Sequence, residues 1–321
     1  MPETLSVLCV ADVRDITRKR FDDSPPQDAG FSAAFVSGYA LSAVTLGAPD
    51  VGLLTQPEMA AATRNITQAV QGGMNVGAEG MPIIADADTG GGNALNVRRT
   101  VLDLIAAGAS GCIIEDQMWP KRCGHSKRSH PIISQDEMLS KVRAARDAAE
   151  EAGADFFVIA RTDARATSSK TGLDLAIERA NAYMSAGADA SYIEAPRSVE
   201  ELERIGKETV GPRVANMISG TFTPDLSLQE LQDMGYQIVL RPLTGLLAAQ
   251  KALTNAYGAL MSDGSMAQRE HVLSTPDELR ETLRLTNVYD IEDRYYTEDR
   301  LPKTMELNTR VGKSYPYPKA S

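Results

Sequence analysis

The loop from Glu115 to His130, EDQMWPKRCGHSKRSH, holds most of the chain's reactive side chains. It carries Cys123 and His125 among several lysines and arginines. Positive charge beside a thiol lowers the thiol pKa, and Gly124 lets the backbone approach a ligand closely. A structural cysteine is expected in an apolar run, as Cys112 is in GCII. We therefore expect Cys123 to transfer a proton.

Carboxylates end two apolar runs nearby. Asp86 and Asp88 close the run PIIADAD, and Glu115 closes GCII. No cysteine or histidine accompanies them at a zinc-ligand spacing. Hard carboxylate oxygens with room for water suit Mg²⁺ or Mn²⁺ better than Zn²⁺. The sequence therefore predicts a Mg²⁺ site, with Mn²⁺ as the other fitting ion.

Further polar residues follow other short apolar runs. They are Ser37, Gly38 and Tyr39 after AAFV, Arg161 and Asp163 after FFVIA, Glu194 after SYI, Asn216 after RVA and Arg241 after IVL. Arginine forks suit carboxylates, so we expect Arg161, Arg241 and the amide of Asn216 to bind a substrate carboxylate. The expected ligand is a small polyanion held by Mg²⁺ and arginine.

A repeating unit positions these residues. A helix-like segment, then Ala-Gly or Met-Gly, then a short apolar run occurs at Ala29-Gly30, Ala107-Gly108, Ala152-Gly153, Ala186-Gly187 and Met234-Gly235. Helix starts carry Ser or Thr followed by Glu three residues later, at Thr55/Glu58, Ser134/Glu137, Ser198/Glu201, Ser227/Glu230 and Thr275/Glu278. A glycine past a helix end and a capping box before the next helix mark helix-strand alternation.

The alternation predicts strands near 33–36, 82–86, 111–115, 156–160, 191–194, 213–216 and 237–240, with 6–11 as an eighth. This count favours an α/β fold of the (β/α)8 TIM-barrel type, in which chemistry sits where strands end. A doubly wound sheet is disfavoured because GxGxxG is absent. We expect one domain over 1–321, with an irregular N-terminal segment (1–30), the barrel core (31–262) and a helical extension and tail (263–321).

Composition excludes several classes of protein. The 321 residues are 43% hydrophobic and carry a formal net charge of −10, which argues against disorder and against nucleic-acid or membrane-surface partners. The three cysteines follow no CxxC spacing, so neither a disulfide framework nor structural zinc is expected. No signal peptide is apparent, and the uncharged stretch 31–49 is too polar to span a bilayer. We expect a cytoplasmic protein.

Several of these segments resemble the isocitrate lyase and phosphoenolpyruvate mutase superfamily. The motifs are PIIADADTGGGNALNVRRTV, EDQMWPKRCGH, ARTDARATSSKTGL, IEAPRS and VANMISG, and the likeness covers roughly residues 28–290. They look most like the petal death protein subgroup, many members of which are named carboxyvinyl-carboxyphosphonate phosphorylmutase. The resemblance implies a C-terminal helix swapped between subunits and a homotetramer.

The resemblance also implies roles for individual residues. Asp88 would bind Mg²⁺ directly, with Asp86, Glu115 and Asp50 acting through water. Ser37, Gly38 and Tyr39 would hold the keto-acid end of the substrate, and Arg161, Glu194 and Asn216 would position its carboxylates. Lys121, Cys123, Gly124 and His125 would lie on a gating loop, with Cys123 protonating the departing carbanion. The base would be Tyr39 or a metal-bound water.

The implied activity is Mg²⁺-dependent carbon-carbon cleavage of 2-hydroxy dicarboxylates such as 2-alkylmalates, with oxaloacetate hydrolysis as a second activity. A methylisocitrate lyase is the near alternative, although Trp119-Pro120 before KRCGH favours the first. Thr244 stands where some oxaloacetate hydrolases of the family have Ser. A carboxyphosphonoenolpyruvate phosphonomutase is disfavoured because such members usually carry Asn in place of Cys123. A non-catalytic scaffold is the remaining alternative.

Overall fold

The computed structural model describes residues 8–13, 31, 33–70, 80–125, 131–267 and 269–295, and of 8–13 only the backbone. Several positions discussed above lie outside the described residues: the turn at Gly30, Lys127, Arg128 and His130 of the reactive loop, and the tail from 296 onward.

Eight strands form a closed barrel. They are β1 (Leu8–Val13), β2 (Ala33–Val36), β3 (Ile83–Asp86), β4 (Gly111–Glu115), β5 (Phe157–Thr162), β6 (Ala190–Ile193), β7 (Arg213–Asn216) and β8 (Ile238–Arg241). Strands β2 to β8 are parallel to one another. The predicted α/β barrel of the TIM type is confirmed.

Strand β1 differs from the expectation in its direction. It lies two residues beyond the predicted start and runs antiparallel to both β2 and β8, with Leu8 opposite Val36 and Val10 opposite Arg241. A parallel connection needs a crossover, usually a helix, and the segment after β1 contains Pro25 and Pro26 and no helical apolar period. The antiparallel pairing still satisfies both sheet edges, which would otherwise be open.

Helices cover the outside of the barrel. The first eight in chain order are α1 (Gly38–Leu41), which a π-turn (Ser42–Leu46) continues, α2 (Gln56–Val70), α3 (Ala94–Ala106), α4 (Gln135–Glu151), α5 (Gly172–Ser185), α6 (Val199–Glu208), α7 (Leu228–Asp233) and α8 (Thr244–Asp263). Single 3-10 turns lie at Ala164–Thr167 and Glu270–Val272.

The predicted helix starts are confirmed. Ser134 and Ser198 accept a hydrogen bond from the backbone N–H three residues on, and Ser227 forms a reciprocal box with Glu230. At Thr55 the backbone N–H donates to the Glu58 carboxylate at 2.8 Å. Gly108, one of the predicted helix-ending glycines, has φ +85°, a left-handed conformation that costs glycine nothing.

Both faces of the parallel strands are buried, which explains their uninterrupted apolar runs. In β2, Ala33 and Phe35 belong to the cluster inside the barrel. Ala34 and Val36 pack outward against the helices. The alternation directs every second residue of a strand into the barrel, so the last inward residues surround its mouth.

The described residues up to Tyr257 form one compact unit, and those from Gly258 on belong to a second. The second unit contains α9 (Pro276–Thr282) and α10 (Leu285–Asp293). Helix α9 begins with the predicted box of Thr275 and Glu278. No helix among the described residues is long and apolar enough to cross a membrane. The single domain with its three segments, the swapped helix and the tetramer stay predictions.

Candidate active site

One pocket at the mouth of the barrel collects the residues predicted from the strand ends and the reactive loop. Its free volume is about 50 Å³. The predicted residues that line it are Ser37, Tyr39, Asp50, Asp86, Lys121, Cys123, Gly124, His125, Arg161, Glu194 and Asn216. Three further predicted residues, Gly38, Asp88 and Glu115, contact residues of this group directly.

Asp86 is held by the backbone at the end of β3. Its Oδ2 accepts from the Gly38 N–H at 3.1 Å, and its Oδ1 accepts from the Asp88 N–H at 3.0 Å. A Cβ on Gly38 would lie 2.9 Å from Asp86 Oδ2, so only glycine fits there. Asp88 itself has φ +47°, a left-handed conformation that aspartate tolerates better than most residues. The sequence Asp-Ala-Asp therefore brings two carboxylates together at one strand end.

Lys121 inserts its ammonium between two carboxylates. Its Nζ lies 2.5 Å from Asp50 Oδ1 and 2.7 Å from Asp88 Oδ1, and its side chain is only 4% exposed. Burial by itself lowers the Lys121 pKa, but the attraction of Asp88 and Asp50 outweighs it and raises that pKa well above 10.5. The ammonium is therefore permanently charged.

The carboxylate cluster of Asp50, Asp86, Asp88 and Glu115 still contains more negative charge than Lys121 neutralises. Burial raises the pKa of Asp88 to about 6 in spite of Lys121. Burial likewise raises the Glu115 pKa well above 4.5, and Arg161 offsets this only partly. Glu115 Oε1 is buried without a hydrogen-bond partner in the described part of the chain.

These carboxylates fit a hydrated divalent cation. They are hard oxygen donors, they lack sufficient positive charge, and one of their oxygens is orphaned. No three described His, Cys, Asp or Glu side chains converge closely enough to enclose a metal ion by themselves. Mg²⁺ keeps several of its waters when it binds protein carboxylates, so such a set can hold it without full enclosure.

Arg161 is a second positively charged residue that lines the pocket. Asp163 holds its guanidinium in a two-point contact, from Nε and Nη2 at 2.9 Å each. Its Nε is also 3.3 Å from Glu115 Oε2, and its Cζ lies 5.2 Å from the centre of the Tyr192 ring. Four contacts fix the plane of this fork, as recognition of a carboxylate requires.

Glu194 is the centre of a second buried group. His125 Nε2 lies 3.0 Å from its Oε1, and Asn216 Nδ2 is 3.4 Å from both of its oxygens. The Tyr192 hydroxyl donates to its Oε2. Burial by itself raises the pKa of Glu194, but Arg161 and the hydrogen bond from His125 outweigh that effect and hold the pKa at about 2.

The Cys123 thiol differs from the expectation. Positive neighbours were expected to lower its pKa, but burial raises that pKa to about 11, and the backbone N–H of His125 opposes the rise only in part. The negative charges of Glu194 and Asp50 add to the rise, and Arg161 offsets it only in part. Lys121, the expected positive neighbour, is paired with Asp50 and Asp88 instead. The thiol therefore keeps its proton at neutral pH.

Gly124 lets the reactive loop reach the strand ends. A Cβ at this position would overlap Glu194 and would lie 2.9 Å from Arg161 Nη2. The loop before it is fixed by Gln117, whose side chain accepts from the Arg122 N–H at 2.8 Å and donates to the Arg122 carbonyl at 2.9 Å. We call residues 117–125 the gating loop.

Arg241 is a wrong prediction. Its guanidinium was expected to bind the substrate, but it pairs with Asp225 at 2.6 Å and donates to the Leu226 carbonyl at 3.0 Å, and it does not line the pocket. The end of β8 turns its last side chain outward because neighbouring residues of a strand point to opposite faces, and Leu240 occupies the inward position. Thr244 is exposed and does not line the pocket either.

Sequence reasoning missed Tyr192 and the apolar wall of the pocket. Tyr192 lies in the run SYI and faces the barrel interior, two residues before Glu194, which directly follows β6. That period of two was the available signal. The apolar wall includes Ile218 and Leu243, which follow β7 and β8 and carry no chemical signature.

Residues 26–261 match the family described as "Phosphoenolpyruvate phosphomutase". The chain belongs to this family. The resemblance to the isocitrate lyase and phosphoenolpyruvate mutase superfamily is thereby confirmed, and so is the prediction of an enzyme, because its relatives are lyases and mutases.

Three curated relatives are similar over 84% of this chain. Carboxyvinyl-carboxyphosphonate phosphorylmutase, chloroplastic, of Arabidopsis thaliana is 51% identical, with 76% of that protein covered. The petal death protein of Dianthus caryophyllus is 42% identical, with 80% covered. The 2,3-dimethylmalate lyase of Eubacterium barkeri is 41% identical, with 88% covered.

Solved structures of this superfamily have the same fold. Oxaloacetate acetylhydrolase in complex with the inhibitor 3,3-difluorooxalacetate matches with a TM-score of 0.74 and 29% identity, covering 82% of this chain and 85% of that one. Phosphonopyruvate hydrolase in complex with oxalate and Mg²⁺ matches with a TM-score of 0.71 and 29% identity, covering 83% and 88%.

Proposed function

We propose that this chain is a Mg²⁺-dependent carbon-carbon lyase that cleaves 2-hydroxy dicarboxylates of the 2-alkylmalate type and also hydrolyses oxaloacetate. The observation that carries the proposal is a partly buried, protonated thiol, Cys123, in one pocket with a carboxylate cluster and an arginine fork. The names of relatives that act on dimethylmalate and oxaloacetate support the substrate class.

The carboxylate cluster would hold the metal, with Asp88 as the direct ligand and Asp86, Glu115 and Asp50 through water. Bound there, Mg²⁺ would stabilise negative charge on the substrate oxygens. The same oxygens of the cluster repel a bare dianionic substrate, so the ion also makes binding electrostatically possible.

The remaining residues bind and orient the substrate. Arg161 offers its fork to one carboxylate, and Asn216 and Glu194 border the same end of the pocket. Ser37 and the Gly38 turn would hold the keto-acid end. Burial, with Cys123 and Asp50 nearby, raises the pKa of Tyr39, so its phenol stays protonated at neutral pH and donates a hydrogen bond to the substrate.

Cleavage breaks the bond between C2 and C3 of the hydroxy diacid. The hydroxyl at C2 gives its proton to a general base and becomes the ketone of a 2-keto acid, while the bond electrons pass to the C3 fragment as an enolate. Because Tyr39 stays protonated, that base would be a water held at the carboxylate cluster. The Cys123 Sγ–H donates its proton to that carbon. The gating loop, held by the contact of His125 with Glu194, excludes water until this proton transfer is complete.

A substrate panel followed by NMR tests the proposal. With Mg²⁺, we expect 2,3-dimethylmalate to give pyruvate and EDTA to abolish the reaction. Cys123→Ser should lower the rate by about 10²- to 10⁴-fold, the range for loss of a general acid, whereas Cys112→Ala should leave it unchanged. Absence of turnover of every malate analogue, methylisocitrate and oxaloacetate contradicts the lyase assignment.

Two other activities are outcomes of the same panel. Turnover confined to methylisocitrate would assign that lyase activity instead. The 51% identical Arabidopsis relative bears a phosphonate name, so carboxyphosphonoenolpyruvate belongs in the panel as well. We retain the lyase because Cys123 supplies a proton that cleavage consumes.

The assembly belongs to the same proposal: a homotetramer in the cytoplasm with a C-terminal helix exchanged between subunits. Helix α8 supports it, since Ala259 is its one buried residue and Leu247, Tyr257 and Met261 are exposed among the described residues. Light scattering should give the mass of four chains. The name of the Arabidopsis relative places that protein in the chloroplast.

A further inference from the structure

The segment between β7 and α7, residues 217–227, is a second loop beside the pocket, and we call it the β7–α7 loop. Its own polar groups fix its path: Ser219 Oγ donates to Asp225 Oδ2 at 2.7 Å, and Thr221 Oγ1 donates to the Ile218 carbonyl at 2.7 Å. Arg241 anchors it to the end of β8 through Asp225, at 2.6 Å. The loop therefore has a defined position.

The loop presents one large aromatic side chain, Phe222, which is 49% exposed. The Phe222 ring stacks against the imidazole of His125, with ring centroids 6.4 Å apart and planes inclined by 25°. An offset aromatic pair at this distance is attractive. A half-exposed phenylalanine that does not itself line the pocket thus contacts a residue that does.

His125 is therefore held from two sides. Its Nε2 faces Glu194 Oε1 at 3.0 Å, and its ring face lies against Phe222. The His125 side chain is only 6% exposed although it lies at the end of the gating loop. Cys123, two residues earlier, is partly buried and lines the same pocket as His125.

We propose that Phe222 is a positioning residue that latches the gating loop by stacking on His125, so that Cys123 is shielded from water while the substrate is cleaved. The latch rests on the proposed function only for its catalytic consequence. The stacking itself is a property of this chain. Because Phe222 is half exposed, its contact is weak enough to break each time the substrate enters and the product leaves.

Alkylation of Cys123 tests the latch without any assumption about the substrate. In Phe222→Ala, we expect iodoacetamide to modify Cys123 about two- to tenfold faster than in the wild type, the range that aromatic pair contacts support. Peptide mass spectrometry reads each cysteine separately. Cys112, which is fully buried, should stay unmodified in both proteins and so reports that the fold is intact.

Three variants make the test specific. Phe222→Tyr keeps the ring and should restore the slow rate. Arg241→Gln loosens the anchor of the β7–α7 loop and should accelerate alkylation as Phe222→Ala does. Val210→Ala removes another exposed apolar side chain, one that precedes β7, and should change nothing. Equal Cys123 rates in Phe222→Ala and the wild type, with Cys112 silent, would overturn the latch.

The catalytic consequence is measured separately. If the proposed lyase activity is present, Phe222→Ala should lower kcat about two- to tenfold with a smaller change in KM, and Phe222→Tyr should recover it. Faster alkylation without any lyase turnover keeps the latch and removes the proposed function. If the enzyme shows lyase turnover and Phe222→Ala changes neither the alkylation rate nor kcat, the proposed function stands and the latch is wrong.

Discussion

At the scale of single residues, one small pocket maintains opposite protonation states. Burial keeps the proton on Cys123, whose pKa is about 11, while Arg161 and His125 keep Glu194 ionised with a pKa of about 2. The two groups line the same pocket, so their difference arises from their partners and not from depth alone. Such separated pKa values are what an acid and an anchoring carboxylate require.

The Cys123 pKa predicts a pH dependence for its reactivity. The thiolate is the nucleophile, so below pH 10 its fraction and the alkylation rate should rise about tenfold per pH unit. Between pH 7 and pH 9 the wild type should therefore gain about a hundredfold in iodoacetamide rate, measured by peptide mass spectrometry. A plateau of the alkylation rate below pH 9 would show that positive charge lowers the pKa of the thiol and outweighs its burial.

Removal of the Tyr192 hydroxyl tests how much its hydrogen bond to Glu194 contributes to kcat/KM. Tyr192→Phe removes the hydroxyl donor of Glu194 Oε2 and leaves it the longer contact from Asn216, a loss of about 1–3 kcal/mol for a buried charged acceptor. We expect kcat/KM to fall about ten- to hundredfold, as steady-state kinetics would show.

The matched control is Tyr236→Phe, which removes another buried hydroxyl, one that donates to the Leu202 carbonyl at 3.1 Å. We expect Tyr236→Phe to lose about 1–3 kcal/mol of folding stability, as Tyr192→Phe does, while its kcat/KM stays at the wild-type value. Equal kinetic losses in the two variants would mean that Tyr192 serves the fold alone.

At the scale of elements, local signals predicted most of the scaffold. The capping serines before α4, α6 and α7 and the glycine at 108 act within a few residues, so their neighbours in sequence determine them. The direction of β1 depends on both β2 and β8, which lie far away along the chain. The Cys123 pKa likewise depends on burial and on the charges of Glu194 and Asp50, which lie far from it along the chain.

The gating loop gives a prediction at this scale. A methyl group at position 124 collides with Glu194 and approaches Arg161 Nη2 to 2.9 Å, so in Gly124→Ala the loop should fail to close. Displacing reacting groups by about 1 Å costs about a hundredfold in rate. We expect a loss of that size in kcat, with a thermal midpoint close to that of the wild type because an open loop relieves the collision.

Gly258→Ala is the control for this substitution. Nothing lies within 4 Å of its added Cβ, and the position is inside α8, so the variant should keep its kcat and gain about 0.5–1 kcal/mol of helix stability. A Gly124→Ala enzyme with wild-type kcat would show that the close approach of the loop is not needed for turnover.

At the scale of the whole molecule, the charged groups buried at the mouth of the barrel lower the stability of the fold. Seven parallel strands with both faces buried support the site, and their ends place Asp86, Glu115 and Arg161 within one pocket region. Burying like charges there costs folding free energy, as the raised pKa values of Asp88 and Glu115 record. A cation bound by these carboxylates should therefore stabilise the folded state.

Thermal unfolding with and without Mg²⁺ measures this coupling. A ligand at a hundred times its Kd stabilises the folded state by about 2.7 kcal/mol, which for a chain of 321 residues raises Tm by about 4 °C. Asp88→Asn removes one buried charge, so in EDTA its Tm should equal or exceed that of the wild type, while the Mg²⁺ shift should vanish. Asp103→Asn, a partly exposed position on α3, should keep the full shift. A Tm insensitive to Mg²⁺ in the wild type, or an undiminished shift in Asp88→Asn, would separate the carboxylate cluster from metal binding.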